Sequence, residues 1–489
     1  MSGSKEGVLR GPGPLESTAL HLHSLGFYTA VCSVARFTRP GWASEYTMEI
    51  PEYELLYMAL HLVIAQHPPL AVTIMNESPT SSARFVRLPS IDLEDMVSYR
   101  PYPRGSDDEV VRQRVLNDVI ERRLSSRFAD LVKLPPWRVV SLHPSYDARE
   151  YRQKENYMDI ALFIHPAIAD GISAVVFMGA LLAALNSASK LTRFDYPGKI
   201  VTPPQSTLLP PLERIRRLPV SYFALVKEMW RRRFLPSRGG LWTARPVSRP
   251  PRNEPVDTSL PAVHTRHATR FFSAEKVKNL VAACHGHQTT LTPLLEALIA
   301  RAFFAVLPVD GSADRLTAIC PINLRPYLPG EHKETMGFYI SAGQHEFKRE
   351  SADVWEEAKR AERSLVRVLD GMKRGRHFHV GTLQCIRDTR GYLEEIIDKP
   401  RAHSFELSNI GAVDGQFDRD SGPYALSRML FTQSACVVGA AVKFGVVTVS
   451  GGTMGVSASW AEEVVEDGVV EGILEKLTDL VDGVCSGKL

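Results

Sequence analysis

The chain has 489 residues, 44% hydrophobic and 23% charged, a composition of soluble globular proteins, and its length sets a soft expectation of about three domains. A formal net charge of +3 excludes a dedicated nucleic-acid binder, because no chain-wide cationic excess is present to neutralise phosphates; a small anionic ligand stays compatible. The six scattered cysteines (Cys32, Cys284, Cys320, Cys385, Cys436, Cys485) form no C-x-x-C or zinc spacing, which suits a reduced, intracellular protein.

The opening MSGSKEGVLRGPGPLEST lacks the apolar run of a signal peptide, and the longest apolar stretch, Ala174 to Leu185, is short of the roughly 18 residues a membrane span needs; the expectation is a cytoplasmic protein. "FYTAVCSVARF" (Phe27 to Phe37) has strand content. "PEYELLYMALHLVIAQHPPL" places Leu55, Leu56, Ala59, Leu60, Val63 and Ile64 at helical spacing, and Pro68-Pro69 ends that helix before the strand "LAVTIM". "SDDEVVRQRVLNDVIERRL" opens with a capping box, Ser106 and Glu109, and carries Val110, Val111, Val115 and Val119. "WRVVSLH" and "DIALFIH" are two more strands.

From Thr202 to Pro255 the chain is rich in proline and arginine, with one helix expected near Leu212 to Phe234, and reads as a crossover. Beyond it come the strand "TRFFS", a helix capped by Ser273, a helix started by Thr292-Pro293, and the strand "RLTAICPIN". The amphipathic helix "ADVWEEAKRAERSLVRVL" follows, then the strands "FELSNIGAV", "ACVVGAAVKF" and "VVTVSGGTMG" and a closing helix. Two α/β halves of about 200 residues each fit this order better than three domains: residues 1–201, a linker 202–255, and 256–489.

"FIHPAIADGIS" is the segment that suggests chemistry. An alternating strand ends at His165, a turn closes on Asp170-Gly171, and a long apolar helix follows, a layout that aims an imidazole into a cavity. The plainer reading has Asp170 or Ser173 capping a core helix, Gly171 permitting the turn, and His165 satisfied inside the core.

The ordered set "LGFYTAVCSVARF", "LHLVIAQHPPLAVTI", "FIHPAIADGIS", "ICPINLRPYLP", "MGFYISA", "FELSNIGAV" and "VSGGTMGVSASW" resembles the fungal alcohol O-acetyltransferase family. That family belongs to the chloramphenicol-acetyltransferase-like superfamily, with plant BAHD acyltransferases and nonribosomal-peptide condensation domains. The resemblance implies an α/β, two-lobed, condensation-domain-like fold with an interlobe tunnel. It implies transfer of an acyl group, acetyl first, from acyl-CoA to a hydroxyl of a small secondary metabolite. No metal and no tightly bound cofactor are implied. Acyl-CoA and the alcohol are the partners, and a monomer suffices.

The family signature is H-H-x-x-x-D-G, whose second histidine is the general base. Here Asp170 and Gly171 fall on the D-G, His165 on the first histidine and Pro166 on the second. Proline has neither a titratable group nor an N–H. His165 takes over only if the backbone slips by about one residue, since adjacent strand side chains face opposite ways. Two alternatives to an acyl-CoA enzyme follow from Pro166: a silent or repurposed member that binds a metabolite in the tunnel, or a condensation-like enzyme fed by a carrier-protein thioester.

By the same resemblance Asp170 is structural, with Arg325 of "INLRPYLP" as its candidate partner; the plainer reading is a surface arginine before Pro326. Ser408 and Asn409 of "SNIG" either donate hydrogen bonds to substrate or oxyanion, or supply turn chemistry with Gly411. The run 227–238 sets Lys227, Arg231, Arg232, Arg233 and Arg238 against Glu228, beside Trp230 and Phe234. It suits weak contact with a membrane surface or with CoA phosphates; a solvated helix face is the commoner explanation.

Overall fold

The computed structural model describes residues 7–39, 50–77, 82–103, 108–143, 157–220, 239–247, 264–417 apart from 352 and 377, and 420–489. Two large sheets organise these residues. The first has five strands in the order Ala425–Gln433, Val31–Thr38, Tyr157–Ile164, Trp137–His143 and Val97–Pro101. The second has six, in the order Thr265–Phe272, Met454–Ala461, Val442–Val449, Phe405–Val413, Arg315–Asn323 and Ile340–Lys348. Each carries its own apolar core.

The halves are not separate along the chain. Ala425–Gln433 belongs to the second half but pairs antiparallel with Val31–Thr38, Gln433 lying beside Val31 and Ala425 beside Thr38. The same strand runs backbone-close across the other sheet. A Cβ at Gly445 would collide with the carbonyl oxygen of Phe431, so glycine there permits the approach. The hydroxyl of Ser457 donates to that carbonyl at 2.6 Å.

The helix expected from the Leu55 to Ile64 spacing is Glu52–Gln66, and its apolar positions are buried. Ser106 lies outside the described residues. The helix it was expected to cap, Glu109–Leu124, is capped by Asp108, whose carboxylate accepts from the Val110 N–H at 2.8 Å. Its inward face is Leu116, Ile120 and Leu124, with Val115 and Val119 packed against the same cluster; Val110 is exposed, which corrects that one position of the expected valine face. Thr290, not Thr292, precedes the helix Leu291–Val306. Of the crossover helix only the turn Leu212–Ile215 is described, and the basic run 227–238 lies outside the described residues.

Gly171–Ala188 is long and apolar enough, by length and composition alone, to cross a membrane. It packs instead on the helix Glu52–Gln66 and the strand Val31–Thr38, burying Phe177, Met178, Leu181, Leu182 and Leu185. It is a core helix, and its N-terminus lies where the halves meet.

Candidate active site

That N-terminus is built by Asp170. Its Oδ1 accepts from the Ser173 N–H and hydroxyl, each at 2.9 Å, and its own N–H reaches Ser173 Oγ at 3.2 Å, a reciprocal cap. The outer edge of the same carboxylate faces Arg325. Nη1 donates to Oδ2 at 2.8 Å and Nη2 to Oδ1 at 3.0 Å, with the Tyr339 N–H adding a third donor at 3.0 Å. Arg325 spends its remaining donors on the carbonyls of Thr335 and Gly337 and on Asn323. Both side chains are buried, so Arg325 is not a surface arginine.

Gly171 is required by space. A Cβ there would lie 2.5 Å from Ile410 Cδ1 and 2.9 Å from the Phe431 ring, both on strands of the second half. The D-G pair therefore locks the helix end with Asp170 and lets the other half close on it at Gly171.

His165 is enclosed by neighbouring side chains. Its side chain is fully buried, against the His23 ring (centroids 4.3 Å apart) and Phe128 (6.0 Å). Its Nδ1 accepts the Ala167 N–H at 3.0 Å, and its Nε2 lies 3.3 Å from Glu77 Oε1. His23 mirrors it: Nε2 accepts the Phe128 N–H at 3.0 Å and Nδ1 lies 2.6 Å from the same oxygen. This pattern fixes both tautomers, with each inner N–H aimed at Glu77. Burial, with His23 adding to it, pushes the His165 pKa down to about 4 against the pull of Glu77. Burial works upward on Glu77, but the N–H groups of His165 and His23 outweigh it and hold the carboxyl at about 2.

The ligand atoms of His23, Glu77 and His165 lie within 4.8 Å of one another, a spacing that would suit a metal ion. The tautomers oppose it. A ligating imidazole normally donates its outer N–H, whereas here both outer nitrogens accept one and the inner nitrogens hold the protons. The trio is a lock between three chain segments.

Pro166 is buried and opens the turn beyond the strand. The Ile168 N–H returns to the His165 carbonyl at 3.1 Å, so Pro166 occupies the first corner of a β-turn, where its fixed φ fits and its missing N–H is not needed. The backbone slip that would bring His165 outward is absent. Of the clefts among the described residues, the one near Arg36 and the one near Arg216 are not lined by His165.

Ser408 and Asn409 are also engaged. Asn409 Oδ1 accepts the Gly411 N–H at 3.0 Å and its Nδ2 donates to Thr292 Oγ1 at 2.9 Å, which is turn chemistry plus a helix contact. The Ser408 hydroxyl donates to Glu406 Oε1 at 3.0 Å. Sequence reasoning missed the network around it. Gln433 Nε2 donates to Glu406 Oε1 at 2.5 Å, Tyr28 donates to Gln433 Oε1 at 2.7 Å, and Lys443 Nζ lies 3.9 Å from Glu406 Oε2 and 4.1 Å from the Tyr28 ring centroid. Tyr28 and Gln433 come from the first sheet and its approach, Glu406, Ser408 and Lys443 from the second. The readable signal was a lone charge inside each apolar strand, "FEL" and "VKF".

The profile of the alcohol acetyltransferase family matches residues 41–482. The chain is 26% identical over 491 residues to the probable alcohol acetyltransferase FCK4 of Fusarium pseudograminearum, covering 97% of this chain and 95% of that protein. Its fold is similar to that of the TRI3 trichothecene 15-O-acetyltransferase of Fusarium sporotrichioides, with a TM-score of 0.69 at 11% identity, covering 97% of this chain and 94% of the other. It is also similar to the first condensation domain of the calcium-dependent antibiotic synthetase, with a TM-score of 0.60 at 10% identity over 98% and 96% of the two chains. At these identities the two structural likenesses concern the two-lobed fold alone.

Proposed function

The chain belongs to the alcohol acetyltransferase family, and from that premise we propose that it transfers an acyl group, acetyl first, from acyl-CoA to the hydroxyl of a small secondary metabolite. The acceptor oxygen bonds to the thioester carbonyl carbon, the carbon–sulfur bond breaks, and the hydroxyl proton ends on the leaving thiolate. The activated carbonyl arrives with the donor, so the protein's task is to position, to exclude water and to move one proton.

The observation that carries this reading is the Asp170–Arg325 pair together with Gly171: the turn that orients the family's motif is held at the junction of the halves. The proton is the weak point of the reaction here. His165 is sealed with both nitrogens engaged, and Pro166 stands where the base belongs. Loss of a general base lowers the rate by roughly 10²–10⁴, while positioning in a dry site preserves the rest. The protein is accordingly a slow acyltransferase.

Pro166 also favours a second reading, a member that binds a metabolite between the halves without turning it over. Thiol release from acetyl-CoA across a panel of alcohols decides between them. Alcohol-dependent release with ester formation is expected. Binding of an alcohol without any ester, from acetyl-CoA or from a thioester loaded on a carrier domain, would overturn the acyltransferase reading. Ester formed only from the loaded carrier would replace acyl-CoA as the donor.

A further inference from the structure

The strands Val31–Thr38 and Tyr157–Ile164 run antiparallel, Val31 beside Ile164 and Thr38 beside Tyr157. The end carrying Thr38 and Tyr157 is therefore about seven residues from the end carrying His165, roughly 23 Å at the usual strand rise. At that far end a cleft of about 400 Å³ is lined by Arg36, Arg39 and Arg428 and by the hydroxyl residues Thr38, Ser427 and Thr453. Ser427 and Arg428 come from the exchanged strand and Thr453 from the second sheet's turn, so the cleft lies where the halves meet.

Its charges are arranged at a cost. Arg428 is the direct cross-strand neighbour of Arg36, and like charges in that position repel. The pairing register shifts between Leu426 and Arg428, an irregularity that re-aims side chains and lets Ser427 and Arg428 both line the cleft. The carboxylates present do not use up the donors. Asp159 takes Arg36 at two points, 2.8 Å each, and also accepts from Tyr102 at 2.7 Å. Glu109 is shared by Arg36 at 3.5 Å, Arg112 at 3.6 Å and Arg428 Nη1. Among the described residues Arg428 makes that one hydrogen bond, leaving Nε and Nη2 unused. Among the described residues the Thr453 hydroxyl, which is buried, has no hydrogen-bond partner. Arg36 stacks over the Tyr157 ring at 4.3 Å and Arg428 over Phe271 at 4.4 Å, which holds both guanidiniums in place.

We propose that this cleft binds the phosphate groups of the acyl donor, the diphosphate or ribose phosphate of a CoA thioester, through Arg428, Arg36 and the Thr453 hydroxyl. Planar guanidinium forks backed by hydroxyl donors match phosphate oxygens. A donor whose phosphates sit at the far end of a long arm from its thioester matches the separation between cleft and motif. The inference rests on the acyl-CoA reading above.

The test is calorimetric titration of the full chain with CoA, dephospho-CoA and inorganic pyrophosphate, in the native protein and in Arg428→Ala, Arg428→Lys and Thr453→Val, with melting curves to verify folding. In Arg428→Ala, CoA should bind roughly 10–100-fold more weakly, the factor carried by one charge-assisted hydrogen bond. Arg428→Lys should recover part of this, and added salt should weaken native binding more than variant binding. Tight CoA binding that is indifferent to Arg428 and Thr453 would overturn the cleft and leave the acyl-CoA reading standing. Pyrophosphate binding sensitive to Arg428, with no CoA binding, would support a phosphate site and refute CoA as the donor. An Arg428→Ala protein that does not fold hands the decision to Thr453→Val and to the salt dependence of the native protein.

Discussion

Arg325 grips Asp170 at two points, 2.8 and 3.0 Å, while the same carboxylate caps the helix Gly171–Ala188 through Ser173. One side chain thus joins a helix start to the segment that follows the strand Arg315–Asn323. Removing one partner of such a buried pair leaves an uncompensated charge, which costs about 3–5 kcal/mol. Asp170→Asn should lower the unfolding free energy, read from the shift of the urea midpoint, by that order, because its amide turns a donor toward Arg325. Arg325→Lys keeps the charge but loses the fork, and should cost less, about 1.5–3 kcal/mol for one charged hydrogen bond. An unchanged midpoint in both variants would show that the pair contributes nothing to holding the halves.

His165 and Glu77 predict how stability varies with pH. The folded His165 pKa of about 4 lies below the ordinary histidine value of about 6.5, so the unfolded chain binds the extra proton between those values. Stability from this group is complete above pH 6.5 and is lost as pH falls toward 4. Glu77, held at about 2, adds a loss in the same direction below its ordinary range near 4.5. The histidine alone corresponds to about 3 kcal/mol by linkage. Unfolding free energy measured from pH 7 to 4 should therefore fall more steeply in the native protein than in His165→Gln, which cannot titrate. Parallel slopes would mean that His165 takes up its proton over the same pH range in the folded as in the unfolded chain.

Much of this was legible in the sequence, for identifiable reasons. The helical spacing of Leu55 to Ile64 and the proline stop behind it are local, and the helix Glu52–Gln66 follows them. The expectation of Arg325 beside Asp170 came from resemblance, and the pair is present at 2.8 Å. His165 acquires His23 and Glu77 across 142 and 88 positions, with no motif linking them, and its burial follows from those partners. The strand Ala425–Gln433 was invisible as a first-half element because its ladder partner lies nearly the whole chain away. Pro166 was legible as a missing base; its use as a turn corner required the Ile168 to His165 hydrogen bond.

The Glu406–Lys443 pair gives a prediction about the contact between the sheets. Lys443 is nearly buried, and its charge is balanced by Glu406 at 3.9 Å. Glu406→Gln leaves that ammonium uncompensated and should cost about 3–5 kcal/mol. Lys443→Met in the same background removes the orphaned charge and should restore most of the loss, since an apolar replacement of a buried pair is often neutral. Thermal unfolding of the single and double variants checks this. A double variant no more stable than Glu406→Gln would show that Glu406 acts through Gln433 and Ser408 rather than through Lys443.

Pro166→His tests the proton step itself. Pro166 fills a turn corner, so its replacement frees the unfolded chain and should cost only about 0.4–1 kcal/mol. An imidazole at 166 leaves the chain from the first corner of that turn, and the contacts of His165 with Ala167 and Glu77 need not change. If acyl transfer in the native protein lacks a base, turnover should rise by roughly 10²–10⁴, the contribution of a positioned general base. The gain should carry a rate limb near pH 6.5, the ordinary range of histidine, that the native protein lacks. A faster variant without that limb would owe its rate to a loosened turn. A variant as slow as the native protein, while still binding acceptor, would mean that the motif serves only as scaffold and that this chain has left acyl transfer behind.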